Sequence, residues 1–533
     1  MMAVRRRVPS IIAATVALTL CLIPPERASA DEFIDRVNAP LAEIRPEKRS
    51  DLIVLPAMAK MERPPLGVDT PAKARLAPAG GAAWPAAVEW ANAAPQRAVI
   101  DAVQKVTQAT DWREAMAFGQ PYGLAELGAS PEQIALISAR LYTDLGDPPL
   151  LAAARHLYLP VFEDVTCLYH VEATRLLAEG RPADAANALV DWLLFARQIA
   201  DREFKTEMDW ALRTMIDVLE RVRDVMYVDS RDGRRAAADE LVAIVKRLEE
   251  QRGPLGIDRI LLPLGDAEAA KQLIAFVMQE RGRVRPEVYA QTMSRLATTE
   301  RPLRLFGESA RWSSGAGEHA NWFDTTEHLA AHIAEFSDRW SRSWHDPVLR
   351  EPPRYDFIAQ RPERWAIILE SYPNMRSLFE QRQLLRVEAV GTRHALALLA
   401  FRVSSGGFPR DIAAVRPHYI ERVEADPFNP DRARGREPPM EFFVPVRDTA
   451  GRFGEREQVQ PHRINVLSPD APNLAIRLRD DQFVLYSVGA DGGRNWAEEV
   501  QNTIDAPSGR DYLIWPPVLS LVRQELMQTG QLR

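Results

Sequence analysis

The chain has 533 residues, with 67 Lys and Arg against 74 Asp and Glu, for a formal charge of −7. A mild acidic excess over this length opposes general nucleic-acid binding, which needs a basic face. Two cysteines in the whole sequence cannot supply a disulfide framework, so stability has to come from core burial, over a length sufficient for two or three domains.

At the N-terminus, Arg5, Arg6 and Arg7 precede an apolar run from Ile11 to Ile23, and Ala28-Ser29-Ala30 forms a small-x-small site before Asp31. That three-part order predicts a secretory signal peptide over residues 1–30 and export to the periplasm or the extracellular space. The apolar run is 13 residues long, too short to span ~30 Å of hydrocarbon. No later segment reaches about 18 uninterrupted apolar residues, so no transmembrane segment is expected in the mature chain. Cleavage would remove four Arg and one Glu, moving the formal charge from −7 to −10. Only Cys167 would remain, close to Val165 and Leu168, and it reads as a buried small hydrophobe.

Residues 31–83 are rich in Pro, Ala and charge with little period, which reads as a flexible lead-in. From Trp84 the pattern becomes helical, and residues 84–383 are expected to form a helical domain. Asp147-Pro148-Pro149 is expected to open a long helix or helix pair ending near Gly180. Pro182 then sits where a first helical turn tolerates it, before a helix over Ala183–Asp201. On that helix Ala185, Leu189, Trp192, Leu193 and Ala196 form one apolar stripe. Helical patterns continue over 203–226, 234–251, 265–300 and 325–343, with 302–322 read as irregular. Another run extends from Pro362 to Val403, with a break at Pro373. The hairpin around Ala178–Ala185 is weakly similar to a tetratricopeptide pair. No 34-residue period repeats, however, so the reading is an irregular helical array.

Residues 384–533 are expected to form a small α+β unit. Leu385, Ala389, Leu396, Leu399 and Val403 share one helical face, and Gly406-Gly407 and Pro409 stop the helix. Asp411 is placed to cap a short turn carrying Ile412 and Val415. Asp426-Pro427 is a turn pair with Phe428 to anchor it. Short strands are expected over 440–446, 464–467, 474–478, 483–488 and 512–515. The 483–488 strand runs into Gly489-Ala490-Asp491-Gly492-Gly493, where glycines permit positive φ and converging carbonyls. Such a loop is either a hairpin turn or, with carboxylates beside it, a seat for a hard cation such as calcium.

The ordered set Gly406-Gly407-Phe408-Pro409, Asp426-Pro427-Phe428 and Tyr486-Ser487-Val488-Gly489-Ala490-Asp491-Gly492 resembles the C-terminal part of type II secretion pseudopilins, over about 130 of 533 residues. The whole combination looks like a group of large exported bacterial proteins that join a helical region to this pattern. The resemblance implies architecture and export rather than an activity. It also implies a calcium loop of Ser487, Gly489 and Asp491, completed by a downstream acid, for which Asp511 is preferred over Asp505. An ordinary signal peptide and a long helical region set the chain apart from a pilus subunit.

A second constellation lies at 312–345, which holds four of the nine histidines and four of the twelve tryptophans. His328 and His332 stand one turn apart, near Glu327 and Glu335, and could share a metal if a third ligand joined them. The order Glu327-His328 reverses the His-Glu-x-x-His arrangement of metalloproteases. Gly307-Glu308-Ser309-Ala310-Arg311 falls short of a nucleophile elbow at its last position. No phosphate loop or dinucleotide glycine pattern is present.

The sequence therefore reads as a mainly α, exported envelope protein, a non-enzymatic scaffold or binding protein with protein or envelope partners. Two rival readings stay open: a metal-dependent hydrolase using His328 and His332, and a component of a secretion or surface assembly.

Overall fold

The computed structural model describes residues 32–127, 130–233, 235–279, 281–298, 305–448, 462–468, 471–479, 481–489, 491–501 and 510–532. The expected signal peptide lies outside these residues. The described residues are mainly helical, with three small sheets among them.

Helices Leu159–Ala178, Pro182–Ile199, Lys205–Asp232 and Arg376–Ser405 form the centre, each packed on its neighbours. Pro160 and Pro182 occupy first turns, where their missing N–H groups have no intrahelical partner to lose. Between the first two helices Gly180, at φ +78°, makes the left-handed break that turns the chain into a hairpin. All five residues of the expected Ala185–Ala196 stripe are buried. Trp192 stacks on Tyr169 at 5.3 Å and Phe195 at 5.2 Å, and its indole N–H donates to Thr166 Oγ1 at 3.1 Å. A buried indole therefore keeps its polar tip satisfied while the ring contributes to the core. Cys167 is fully buried, and burial pushes its thiol well up from the ordinary range.

The segment expected as a flexible lead-in is folded. Its described part carries helices Glu32–Ala42, Asp51–Met58 and Pro71–Leu76. Ile34, Val37 and Leu41 pack with Tyr122 and Phe204, while Val54, Leu55, Met58 and Ala74 enter the main core. Its prolines are accommodated by short helices instead of loosening the chain: Pro71 sits in a first turn capped by Thr70, and Pro40 and Pro56 lie inside helices. The helix expected from Asp147 begins only at Leu159. Ahead of it Thr143–Asp144 pairs antiparallel with Arg155–His156. A further helix, Leu305–Gly315, stands within the stretch read as irregular.

The boundary expected between residues 383 and 384 falls inside one continuous helix, Arg376–Ser405. Its N-terminal half belongs to the helical body. Its C-terminal half packs on the sheet formed by Glu441–Phe443, Val484–Ser487 and Tyr512–Trp515. Gly391 makes that approach possible, since a Cβ there would lie 2.5 Å from Ile514 Cδ1. Gly406, at φ +78°, ends the helix as expected, and Asp411 caps Ile412–Val415 through the Ala413 N–H at 2.8 Å.

Val484–Ser487 is the middle strand, antiparallel to both neighbours, in register Glu441↔Tyr486 and Ser487↔Tyr512. A second sheet pairs His462–Ser468 antiparallel with Ala471–Leu478 and parallel with Glu499–Gln501. Ile464, Val466, Leu474, Val484, Leu513 and Val522 make a separate small core there, to which the C-terminal helix Val518–Gln528 contributes.

Buried ion pairs tie these layers together. Glu388 of the long helix accepts from Arg223 of the Lys205–Asp232 helix and, at 2.5 Å, from the Tyr512 hydroxyl of the sheet. Asp224 is held by Arg221 and, at 2.7 and 2.9 Å, by Arg523 of the C-terminal helix, with Ser520 as a further donor. The two cations hold the Asp224 carboxyl down at about 2 against the opposing effect of burial.

Candidate functional site

The glycine loop grows out of the middle strand of the C-terminal sheet. All four strand residues, Val484 to Ser487, are buried, so the chain enters the loop from a fixed position. Gly489 adopts φ +72°, and a Cβ there would sit 2.1 Å from the Arg510 carbonyl oxygen and 3.8 Å from Asp491 Oδ1. Only glycine fits, and these two oxygens stand around the same bare Cα. Asp491 is exposed, and its Oδ1 accepts the Gly493 N–H at 3.1 Å, while the Gly492 N–H bonds back to the Gly489 carbonyl at 3.2 Å. Ala490 lies outside the described residues.

Asp511 is fully buried directly after Arg510. Its Oδ2 accepts the N–H groups of Ala497 at 2.7 Å and Asn495 at 3.0 Å. Its Oδ1 is also buried and has no hydrogen-bond partner. Burial pushes the Asp511 carboxyl up to about 6 against those two backbone bonds, and the negative charges of Asp491 and Glu441 push the same way. Glu441 itself pairs with Arg494 at 2.6 Å. An orphaned buried carboxylate oxygen is costly, of order 1–3 kcal/mol, and a cation is one group that would satisfy it.

Of the four residues singled out from sequence, Gly489, Asp491 and Asp511 come together around this loop. Ser487 is engaged elsewhere. Its hydroxyl donates to Asp426 Oδ1 at 2.6 Å and accepts the Gly489 N–H at 3.4 Å. Asp426 is the residue the sequence reading passed over, treating Asp426-Pro427 as a turn pair alone. The fully buried Asp426 carboxylate also accepts the N–H groups of Val488 at 3.1 Å and Phe428 at 3.0 Å. Burial pushes it up to about 6. The only signal in the sequence was an acid in an otherwise apolar, proline-bounded loop.

The donor set suits a hard cation in kind: two carboxylates and the Arg510 carbonyl, all oxygen. Asp511 Oδ1, Asp491 and the Arg510 carbonyl would hold calcium. Among the described residues no three His, Cys, Asp or Glu side chains converge as a metal cluster. The remaining ligands of such an ion would therefore come from carbonyls and water.

At the second constellation, the rings of His328 and His332 lie 6.2 Å apart on the helix Trp322–Ser341. His328 packs on Trp365 at 4.1 Å and His332 against Tyr355 at 5.9 Å. Burial, with His328 alongside, pushes His332 down to about 4. Glu335 is taken by Arg339 at 2.9 Å and by the Arg354 N–H at 3.0 Å. Trp340 packs under Arg382 and donates to the Ile260 carbonyl at 3.0 Å, and Trp344 meets Phe428 at 5.7 Å. These rings pack against aromatic neighbours, and both ring nitrogens of His332 are buried without a hydrogen-bond partner.

Comparison with protein-family models, with curated proteins and with solved structures finds no match. Among the described residues no helix is long and apolar enough to cross a membrane.

Proposed function

We propose that this chain is an exported, non-enzymatic protein of the cell envelope. A helical scaffold presents binding surfaces to protein partners, and a pseudopilin-like C-terminal unit is stiffened by calcium. Export is supported by the three-part pattern over residues 1–30. Reading the helical hairpins as tetratricopeptide-like and the C-terminal unit as pseudopilin-like belongs to the same proposal and rests on the motifs.

The observation that carries the calcium reading is Asp511 Oδ1, buried without a partner next to Asp491 and the glycine loop. Calcium would neutralise the Asp511 carboxylate, whose ionisation burial and the Asp491 charge now oppose. Because binding to the folded state alone stabilises it by mass action, the melting temperature of wild-type protein should rise in millimolar calcium relative to chelator. Asp491→Ala should abolish the rise. Equal melting of the wild type in calcium and in chelator would remove the ion from the account.

A further inference from the structure

A pocket of about 410 Å³ opens on the helical body, where the ends of helices Ala94–Val106 and Pro182–Ile199 meet the segment 254–264. It is within the size range of small-molecule sites. Its wall is apolar and unusually exposed for such side chains: Trp112 is 42 % exposed, Leu261 76 % and Leu264 49 %, with Met116 and Leu194 deeper in. Side chains of this kind left open to water around one concavity mark a binding surface more often than a scattered remainder.

The polar groups are few and specific. Arg202 lines the pocket yet is only 2 % exposed. Its Nε donates to Glu207 at 2.7 Å, its Nη1 to the Gln120 carbonyl at 2.7 Å, and its face lies 4.1 Å from the Tyr122 ring centroid. Nη2 is left buried with no acceptor. Gln198 Oε1, in the same lining, is likewise without a donor.

Three arginines, Arg197, Arg202 and Arg259, stand beside two acids, Asp201 and Glu203, in the lining. Arg197 pairs with Asp201 at 2.7 Å, and Arg202 with Glu207. Arg259 packs on Trp112 at 4.9 Å and spends its donors on backbone carbonyls of Glu250, Gln251 and Gly253. Those carbonyls leave its charge without a carboxylate in contact. Burial pushes the carboxyl of Glu203, the remaining acid in the lining, up from its ordinary range against the pull of Arg202.

We propose that this pocket binds a small amphipathic carboxylate, with an aryl or short acyl body against Trp112 and Leu261 and the carboxylate on Arg202 Nη2. A guanidinium with one nitrogen unpartnered, held in place by Glu207 and Tyr122, is preorganised for such a head group. The site is independent of the C-terminal loop, so it stands or falls separately from the calcium reading.

The test is calorimetric titration of the full mature chain with 4-phenylbutyrate and with its neutral counterpart, 4-phenyl-1-butanol. The acid should bind saturably at one site with a dissociation constant below about 1 mM. The alcohol should bind at least tenfold more weakly. Leu261→Asp and Trp112→Ala, both at well-exposed positions, should each weaken the acid at least tenfold; Leu261→Asp should do so with no change in melting temperature. Saturation absent up to ~10 mM, an alcohol as tight as the acid, or unchanged affinity in Leu261→Asp would each overturn the proposal.

Discussion

The Ser487 hydroxyl donates to Oδ1 of Asp426 at 2.6 Å, joining two fully buried residues across 61 positions of sequence. Through this bond and the Val488 and Phe428 N–H groups, one carboxylate ties the start of the glycine loop to the Asp-Pro-Phe turn. Asp426→Ala would leave three buried donors without an acceptor, each worth ~1–3 kcal/mol. The expected loss is about 3 kcal/mol or more in urea unfolding, against ~1 kcal/mol for Ser487→Ala. Near-equal costs of the two substitutions would mean that Asp426 anchors nothing beyond Ser487.

Glu388 holds the helical body and the C-terminal sheet together by accepting from both Arg223 and Tyr512. Glu388→Gln strands the buried Arg223 charge and is expected to cost ~3–5 kcal/mol. The paired change Glu388→Leu with Arg223→Met should cost less than the single change, because neither charge is then buried alone. Denaturant unfolding of the three proteins checks the order. A double variant less stable than Glu388→Gln would contradict it.

Two buried groups give pH dependences of opposite sign. Burial pushes Asp266 up to about 7, although its Oδ2 accepts the Lys205 N–H at 2.7 Å. The folded protein then holds this proton more tightly than the unfolded chain, whose value is near 3.9. The group's stabilisation is complete below pH ~4 and is lost as pH rises to about 7. Asp266→Asn should therefore gain on the wild type across that window, by a few kcal/mol at most at ~1.4 kcal/mol per pH unit. Parallel stability curves for the two proteins would remove Asp266 from the account.

His332 runs the other way. Its value, lowered to about 4 by burial and by His328, lies below the ordinary ~6.5, so the folded state releases this proton. Its stabilisation is complete above pH ~6.5 and lost as pH falls towards 4. His332→Leu should match the wild type closely near pH 7 and gain on it progressively between pH 6.5 and 4. Zinc retained stoichiometrically by purified protein and released by a His328→Ala/His332→Ala change would instead favour the hydrolase reading.

Much of the architecture was legible because period and punctuation agreed. The stripe from Ala185 to Ala196, the stop at Gly406 and the Asp411 cap all stand where local chemistry places them. The misreadings share one cause, which is that composition does not reveal tertiary partners. Pro- and Ala-rich residues 32–76 form helices because Val54, Leu55 and Ala74 have a core to enter. The long helix is not divided at 384, since Arg223 and Tyr512 reach it from both sides at Glu388. At the candidate site, Gly489, Asp491 and Asp511 came from the resemblance to the pseudopilin loop, and the Asp491 and Arg510 oxygens stand around Gly489 with Asp511 next in the chain. The capture of Ser487 by Asp426 depends on a contact across 61 residues that no local pattern encodes.

The most direct test of the central claim is calorimetric titration of calcium into chelator-treated wild-type protein, beside Asp511→Asn and Asp491→Ala. The account predicts one saturable site in the wild type, absent from both variants, while magnesium produces no comparable heat because it demands a tighter octahedral cage. Calcium bound equally well by all three proteins, or by none, would contradict it.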